Sequence, residues 1–497
     1  MTYKNNELIS NPSLFSLSDI QYDVWLDCQI NSNLPKYNIG GYIVIDAVFD
    51  EKRFREALEA LIARHDALRL EVVDNKGIPQ QGILEHVNLN LPIIDYTDTA
   101  HPEKEAKTWM QKDMQVLFDL QQAPLWRFAI IKLTEKRYCW YYAFHHLISD
   151  GVSIHLLATS LAEIYHAKRY ELTIKPAPSY QHIISNDIGK IDSQKLSQSI
   201  DYWVRKYTTP PQPLFSNINN IHQSSTYEWV LPSSKVTALQ EITQDIKSTP
   251  FHALIGLIYL YFARSTGLND ISIGIATHNR TNKERRDTLG FFSNIMPVRL
   301  DHPLSDSFIQ ITTKIAKQIK EIRRGRHSAV GLNQINKSLL LTSKSAHQRL
   351  FDIEFSYIPS DYGDAIDGEK ANPFMFVPNN YEQAPLRIYC FDDKRNNLFR
   401  FYFNHNLGCI PELEMNNIVV RFEHLINQII KQPNQPLTQY SLTPKNQLEL
   451  LKQWSHSPDK YSNSKNLDIV SLFTHQVTTQ PHAPALLFKE QTLSYHE

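Results

Sequence analysis

Glycine is scarce, with 15 residues in 497, about 3% against the ~7% usual in globular proteins. Loops that cradle phosphate need glycine where backbone approaches the ligand, and neither GxGxxG nor GxxxxGK[ST] occurs. Nucleotide binding through such loops is therefore excluded. Only four cysteines are present, Cys28, Cys139, Cys390 and Cys409, and none forms a CxxC pair. That spacing supports neither a disulfide frame nor a zinc knuckle, and no metal site is expected. Charge of either sign is in balance, 51 Lys+Arg against 52 Asp+Glu, a net charge of −1. With no long basic block, nucleic-acid binding that relies on counterion release is not expected. The longest apolar run, Phe251 to Ala263, is short of the about 20 residues that cross a bilayer. The polar start MTYKNNELISNPSLF has no apolar signal-peptide segment. These absences lead us to expect a soluble, cytoplasmic protein without a membrane span.

What is present is core-forming material. Hydrophobic residues make up 42% and aromatics 11%, including 24 Tyr and 23 Phe, which rules out wholesale disorder. The length suits about two to four domains, or one large two-lobed unit. Strand patterns at Tyr42–Ile45, Trp126–Leu133 and Tyr138–Phe144 alternate with helical stripes. One stripe is Phe54, Ala57, Leu58, Leu61 and Ile62, ending near His65; another is Ile154, Leu157, Leu161 and Ile164, with Gly151 in its first turn. The second half repeats this grammar: helix at Phe251–Ala263, strands at Ile271–Ala276 and Met296–Leu300, and a helical stripe from Phe308 to Ile322. A strand at Leu398–Phe403 then leads to a last helix at Pro411–Lys431. Both halves read as α/β. KPAPSYQ (Lys175 to Gln181), with two prolines, is the candidate junction between them. Asn434 to Lys460 is polar and Pro-punctuated, and Leu467 to Glu497 looks like the opening of a further domain, so the chain is read as a fragment of a longer polypeptide.

One string stands out chemically. RYCWYYAFHHLISDGVS ends a strand and opens a helix, with His145 and His146 followed by Asp150 and Gly151. Adjacent side chains of an extended segment point to opposite faces, so only one histidine can face any one cavity. Two satisfied histidines at a strand end are the plain alternative for a lone His-His pair. With Asp and Gly at these offsets, chance occurrence falls to roughly one such chain in a thousand.

HHLISDG resembles the HHxxxDG signature of condensation domains of nonribosomal peptide synthetases, relatives of chloramphenicol acetyltransferase. LSDIQYDVWLDCQ (Leu17 to Gln29), with Gln21 and Trp25 in place, is similar to that family's opening motif. YNIGGYIVI, RHDALRL (Arg64 to Leu70), DYWVRKY, LGFFSNIMPVRL and LFDIEFSY resemble its further motifs, in family order from Leu17 to Pro433. The tail LFTHQVTTQPHAPALLFKEQTLSYHE resembles the first residues of an adenylation domain. The resemblance implies an α/β fold of two chloramphenicol-acetyltransferase-like lobes, a V-shaped pseudo-dimer with a central tunnel. Expected bounds are 1–178 and 179–440 for the lobes, 441–466 for a linker and 467–497 for the truncated adenylation start.

It also implies acyl transfer from a thioester to an amine, with His146 in the tunnel as base or positioner of the amine. A neutral imidazole suits that step. So does an α-amine of pKa about 7.7–8.0, which makes positioning as good a role as proton removal. His145 is weighed between orientation and packing. Asp150 is weighed as the orienter of a triad and as the partner of Arg280, in THNR, in a buried salt bridge. Gly151 leaves room for a pantetheine arm and a backbone N–H for an oxyanion, or simply starts a helix. Arg64 and Arg69 are expected to form ion pairs between elements. Asn294 lines the tunnel or holds a turn, and Val152 stands where many relatives carry an aromatic. HSAVG (His327 to Gly331) departs from the family's HQxxP-like string.

No covalently bound cofactor is expected. The substrates would be phosphopantetheine arms of carrier proteins or coenzyme A thioesters. Expected partners are an acyl-CoA or acyl carrier donor, a downstream peptidyl carrier as acceptor and an adjacent adenylation domain, with no nucleic acid. Only about 15 residues precede the first motif, which favours a starter-type domain that N-acylates a first amino acid. Peptide-bond formation with a carrier-bound donor supplied in trans is the alternative, and a non-catalytic recruitment platform another. Epimerisation and wax-ester-type acyl transfer also use HHxxxDG. The tail weighs against both, and RHDALRL and YWVRKY weigh against the second.

Overall fold

The computed structural model describes residues 13–170, 172–188, 193–215, 222–340, 349–360, 372–455, 468–489 and 491–497. The start of the chain and the whole of 456–467, where part of the linker and the first residue of the adenylation start were expected, lie outside them. Residues up to Leu442 form one compact unit and Thr443–Glu497 a second.

Among the described residues, alternation of side chains builds three sheets in the first unit, a small antiparallel one in the order Phe15–Ser16, Ile78–Ile83, Leu70–Asn75 and two larger ones. The five-stranded sheet runs in the order Met375–Phe376, Asn38–Ile45, Arg137–His145, Trp126–Thr134, Ile93–Asp95. Its central antiparallel pair is in register from Asn38↔His145 to Ile45↔Tyr138. The six-stranded sheet runs Asn294–Asp301, Asp270–Thr277, Ile353–Pro359, Leu386–Asp393, Leu398–Asn406, Ser224–Leu231. Both larger sheets are mixed, as their parallel pairs show.

The amphipathic stripes form helices where their spacing places them. Glu51–Arg64 is N-capped by Asp50 and ends at His65. Gly151–Tyr170 buries Ile154, Leu157, Leu161 and Ile164. Pro250–Thr266 is buried along most of its length, with Pro at its first turn and a left-handed Gly267 ending it. Ser307 and Gln310 make a capping box for Phe308–Arg324. Among the described residues no helix is long and apolar enough to cross a membrane.

The halves are interlocked. Met375–Phe376 leaves the second half to pair with Tyr42 and Gly41 of the first. The apolar core around the five-stranded sheet also takes in Leu289, Phe291, Phe292, Phe391 and Tyr402. The expected junction at 175–181 is tied down at its end: Ser179 donates to Asp66 at 2.6 Å, and buried Tyr180 donates to the Phe291 carbonyl.

In the second unit, part of the stretch expected to be a linker is the helix Lys445–Ser455. Its leucines recur at helical spacing, and the polar composition had masked that period. Its other elements among the described residues are the helix Ile469–Thr479 and the hairpin Pro484–Phe488/Gln491–Ser494, and Trp454, Phe473, Leu486 and Leu487 are exposed.

Candidate active site

The motif sits where a strand hands over to a helix. His145 is the last residue of its strand, and the next backbone N–H, that of His146, donates to the Tyr37 carbonyl at 2.7 Å. A turn follows, and Gly151 begins the helix. Gln21, fully buried, reaches in from Asp19–Ile30 and donates to the Leu147 carbonyl at 3.1 Å. It also exchanges amide hydrogen bonds with Gln81. This is the physical reason for a glutamine in the opening motif: it ties the first helix to the His-His turn.

The two histidines part company where the strand ends at His145 and the turn begins at His146. His145 packs against the rings of Tyr37 and Phe118. Its Nδ1 accepts the Leu147 N–H at 3.2 Å, which leaves Nε2 as the protonated nitrogen facing the Cys28 sulfur at 3.6 Å. Both nitrogens are occupied, and burial, helped by His146, pushes its pKa down to about 3. The geometry favours packing and orientation for His145.

His146 is partly exposed and rests against the ring of Phe291, centroids 4.7 Å apart. Burial lowers its pKa. The backbone of His146 and Ser149 and the charge of Asp150 oppose that, and Arg387 reinforces it. Among the described residues Nδ1 has no partner of good hydrogen-bond geometry. The result is a neutral imidazole at neutral pH with hydrogen-bonding capacity to offer.

Asp150 is fully buried and every lone pair has a partner. Oδ1 accepts the Ser153 N–H at 2.9 Å, capping the helix, and Arg280 Nη2 at 3.0 Å. Oδ2 accepts the N–H groups of Phe292 and Ser293 at 3.0 and 3.1 Å. Burial pushes the carboxyl up, but Arg280 and the backbone donors outweigh it and hold the pKa below the usual carboxylate range. No oxygen is left to orient His146, so the triad geometry weighed for Asp150 does not form; the carboxylate braces the turn. Arg280 also donates to the carbonyls of Arg285 and Thr288, both at 2.5 Å, and stacks on Phe292. Ser153, which sequence reasoning missed, completes the brace. Its hydroxyl donates to the Gly290 carbonyl at 2.6 Å and accepts from Gly290 N and Arg280. No local pattern marks that serine, because its partners lie far along the chain.

A Cβ at Gly151 would stand 3.4 Å from Ile358 Cδ1 on a second-half strand, in ordinary contact. Val152 follows, partly exposed. The remaining expected residues lie elsewhere. Arg64 pairs with Glu163 at 2.7 Å. Arg69 is less an ion pair than a clamp on the carbonyls of Ile62, Ala63, Leu84 and Glu85, with Asp66 at 3.8 Å. Asn294 holds a turn, donating to the carbonyls of Ser328 and Val330. In that turn His327 stacks on Tyr202 at 4.1 Å and meets Ser199, giving HSAVG a structural place. Among the described residues no cluster of side chains could hold a metal.

The model of the condensation domain family matches residues 13–451. The chain belongs to the condensation domain family. As a member it falls among the acyltransferases that form amide bonds in nonribosomal peptide synthesis. It is 24% identical over 492 residues to the dimodular nonribosomal peptide synthase of Bacillus subtilis (strain 168), 97% of this chain but 20% of that protein. To tyrocidine synthase 3 of Brevibacillus parabrevis it is 22% identical, over 97% of this chain and 7% of that one. This condensation domain thus spans a fifth or less of the length of these relatives. Among solved structures, a variant of the starter condensation domain of rhizomide synthetase RzmA in complex with C8-CoA superposes with a TM-score of 0.78. It is 23% identical, covering 86% of this chain and 97% of that chain. The first condensation domain of the CDA synthetase gives 0.76 at 19% identity, covering 87% and 100%.

Proposed function

We propose that the domain transfers an acyl group from a thioester to the amino group of a carrier-bound aminoacyl thioester, N-acylating the first residue of a lipopeptide. The observation that carries this reading is His146: a neutral, partly exposed imidazole between fixed backbone bonds, while its neighbours are fully engaged. His146 orients the attacking amine and takes its proton as the tetrahedral adduct forms. The Gly151 N–H, at a helix start, is the candidate donor to the adduct's oxyanion. Asp150, Arg280 and Ser153 keep that turn in shape, and His145 holds the strand end. Pantetheine arms or coenzyme A deliver the substrates, and the donor is an acyl-CoA or an acyl carrier. That starter domains, one of them with C8-CoA, are among the structural matches supports the acyl-CoA form. The tail resembles an adenylation start, and its exposed Phe473, Leu486 and Leu487 support an adjacent adenylation domain as partner.

The test is product mass spectrometry with an aminoacyl-loaded acceptor carrier and acyl-CoAs of increasing length. An N-acyl aminoacyl product with a length optimum is expected, falling about 10²–10⁴-fold in His146→Ala. Product only from a carrier-bound peptidyl donor would move the assignment to ordinary peptide-bond-forming condensation. Undiminished activity in His146→Ala would sink the role given to that residue.

A further inference from the structure

The inner face of the six-stranded sheet carries a charged cluster that the reaction as described leaves without a task. Ile353–Pro359 and Leu386–Asp393 run parallel, with Glu354 opposite Arg387, Ser356 opposite Tyr389 and Ile358 opposite Phe391. Alternation puts these six side chains on one face. The other face, with Ile353, Phe355, Leu386 and Ile388, is the second half's own core. Ile358 is the side chain nearest Gly151, so this face looks onto the HHxxxDG turn. Glu354 lies four residues, about 13 Å, back along the same strand.

Arg387 is held firmly. Its Nη2 lies 2.8 Å from Glu354 Oε2 and 3.3 Å from Glu382 Oε1, and Nη1 is 3.4 Å from the Tyr389 hydroxyl. Glu382 is itself fixed by the N–H groups of Gln383 and Ala384 and by Asn404. Burial works against the guanidinium's charge, but the two carboxylates keep its pKa well above the ordinary value. Yet its side chain remains 26% exposed, and among the described residues Nη1 meets only the Tyr389 hydroxyl, which leaves one of its N–H bonds unengaged. A permanently charged, clamped arginine with an unused donor on the face opposite the catalytic turn is a preorganised hydrogen-bond donor.

We propose that Arg387, fixed by Glu354 and Glu382, binds the acceptor, an Nη1–H of its guanidinium donating to the carbonyl oxygen of the aminoacyl thioester. Attack makes the acyl donor's carbonyl oxygen anionic and the acceptor's nitrogen cationic. Carboxylates flanking the guanidinium would oppose the first charge and favour the second, so the cluster suits the acceptor side. This rests on the acyl-transfer reading above and adds a recognition site to it.

The experiment uses the full chain with Arg387→Gln and Arg387→Lys, varying acceptor and donor separately, alongside calorimetric binding of a non-reactive aminoacyl-pantetheine amide. In Arg387→Gln, acceptor KM and the Kd for the amide should rise about tenfold or more, with donor KM within about twofold. Arg387→Lys, which keeps the ion pairs but not the Nη1 donor, should hold its thermal midpoint and still lose acceptor affinity. Should the Gln variant fail to fold, the Lys variant decides. Wild-type acceptor affinity in the Lys variant, or equal loss for both substrates together with a lowered midpoint, would overturn the proposal. Absence of turnover by the wild type would instead overturn the acyl-transfer reading. The amide titration would still judge Arg387, and no binding of the amide by the wild type would overturn this assignment as well.

Discussion

His146 and Asp150 titrate in opposite environments, and the difference separates their roles. Burial favours the neutral form of both, but only Asp150 has a cation and four hydrogen bonds to overcome it. Because the His146 pKa is lowered, its basic form persists below pH 6.5. The acid limb of kcat should therefore lie under the ordinary imidazole value of about 6.5, while kcat/KM follows the acceptor amine near 7.7–8.0. A pH–rate series on the wild type checks this, and a kcat limb above 7 would contradict it. Asp150→Ala leaves Arg280 buried without its counter-ion, at a cost of about 3–5 kcal/mol. The double variant with Arg280→Ala should be less destabilised than the two single losses added. Urea unfolding of the three proteins measures that coupling.

Elements were legible wherever a period of 2 or 3.6 ran uninterrupted. The strand now spanning Asn38–Ile45 and the helices Glu51–Arg64 and Pro250–Thr266 all show in the pattern of apolar residues. The crossing strand Met375–Phe376 did not, being two residues long and stabilised only by its partner. Gly41 explains how it fits: a Cβ there would come 2.1 Å from the Met375 carbonyl and 2.5 Å from the Phe374 ring. Gly41→Ala must push the crossing segment away, costing about 1–3 kcal/mol. Hydrogen exchange at residues 374–377 should speed up while the strand Trp126–Thr134 stays protected. Unchanged exchange there would show that the crossing strand yields without detaching.

The first unit as a whole carries histidines that folding keeps neutral. Burial lowers His145 to about 3 and His65 to about 4, against 6.5 when unfolded. Between pH 6.5 and those values the unfolded chain binds more protons, so stability is full above 6.5 and falls as pH drops. Each such histidine contributes a slope of about 1.4 kcal/mol per pH unit in that window. Asp150, with a depressed pKa, adds its own loss only below about 3.9. Unfolding midpoints in urea at pH 7.5, 6 and 5 should decline progressively, and less steeply in His65→Gln. The interlocked cores carry a further consequence: residues 1–178 alone would expose the surface that Phe291, Phe292 and Phe391 cover. That fragment should bind hydrophobic dye and lack a cooperative thermal transition.

The amino-acid order alone pointed to the family and the α/β alternation, and it singled out the His-His turn as the candidate site. Those signals are local: periodicity needs only near neighbours, and HHLISDG is seven consecutive residues. The Asp150–Arg280 pairing entered through the resemblance, since 130 residues separate the partners. Which histidine is enclosed, that Asp150 has no oxygen left for His146, and that Ser153 and Gln21 hold the turn were decided by tertiary structure. So was the meeting of Glu354 with Arg387, which follows from the register of two parallel strands. Each depends on burial and on hydrogen bonds between segments that only folding brings within about 3 Å.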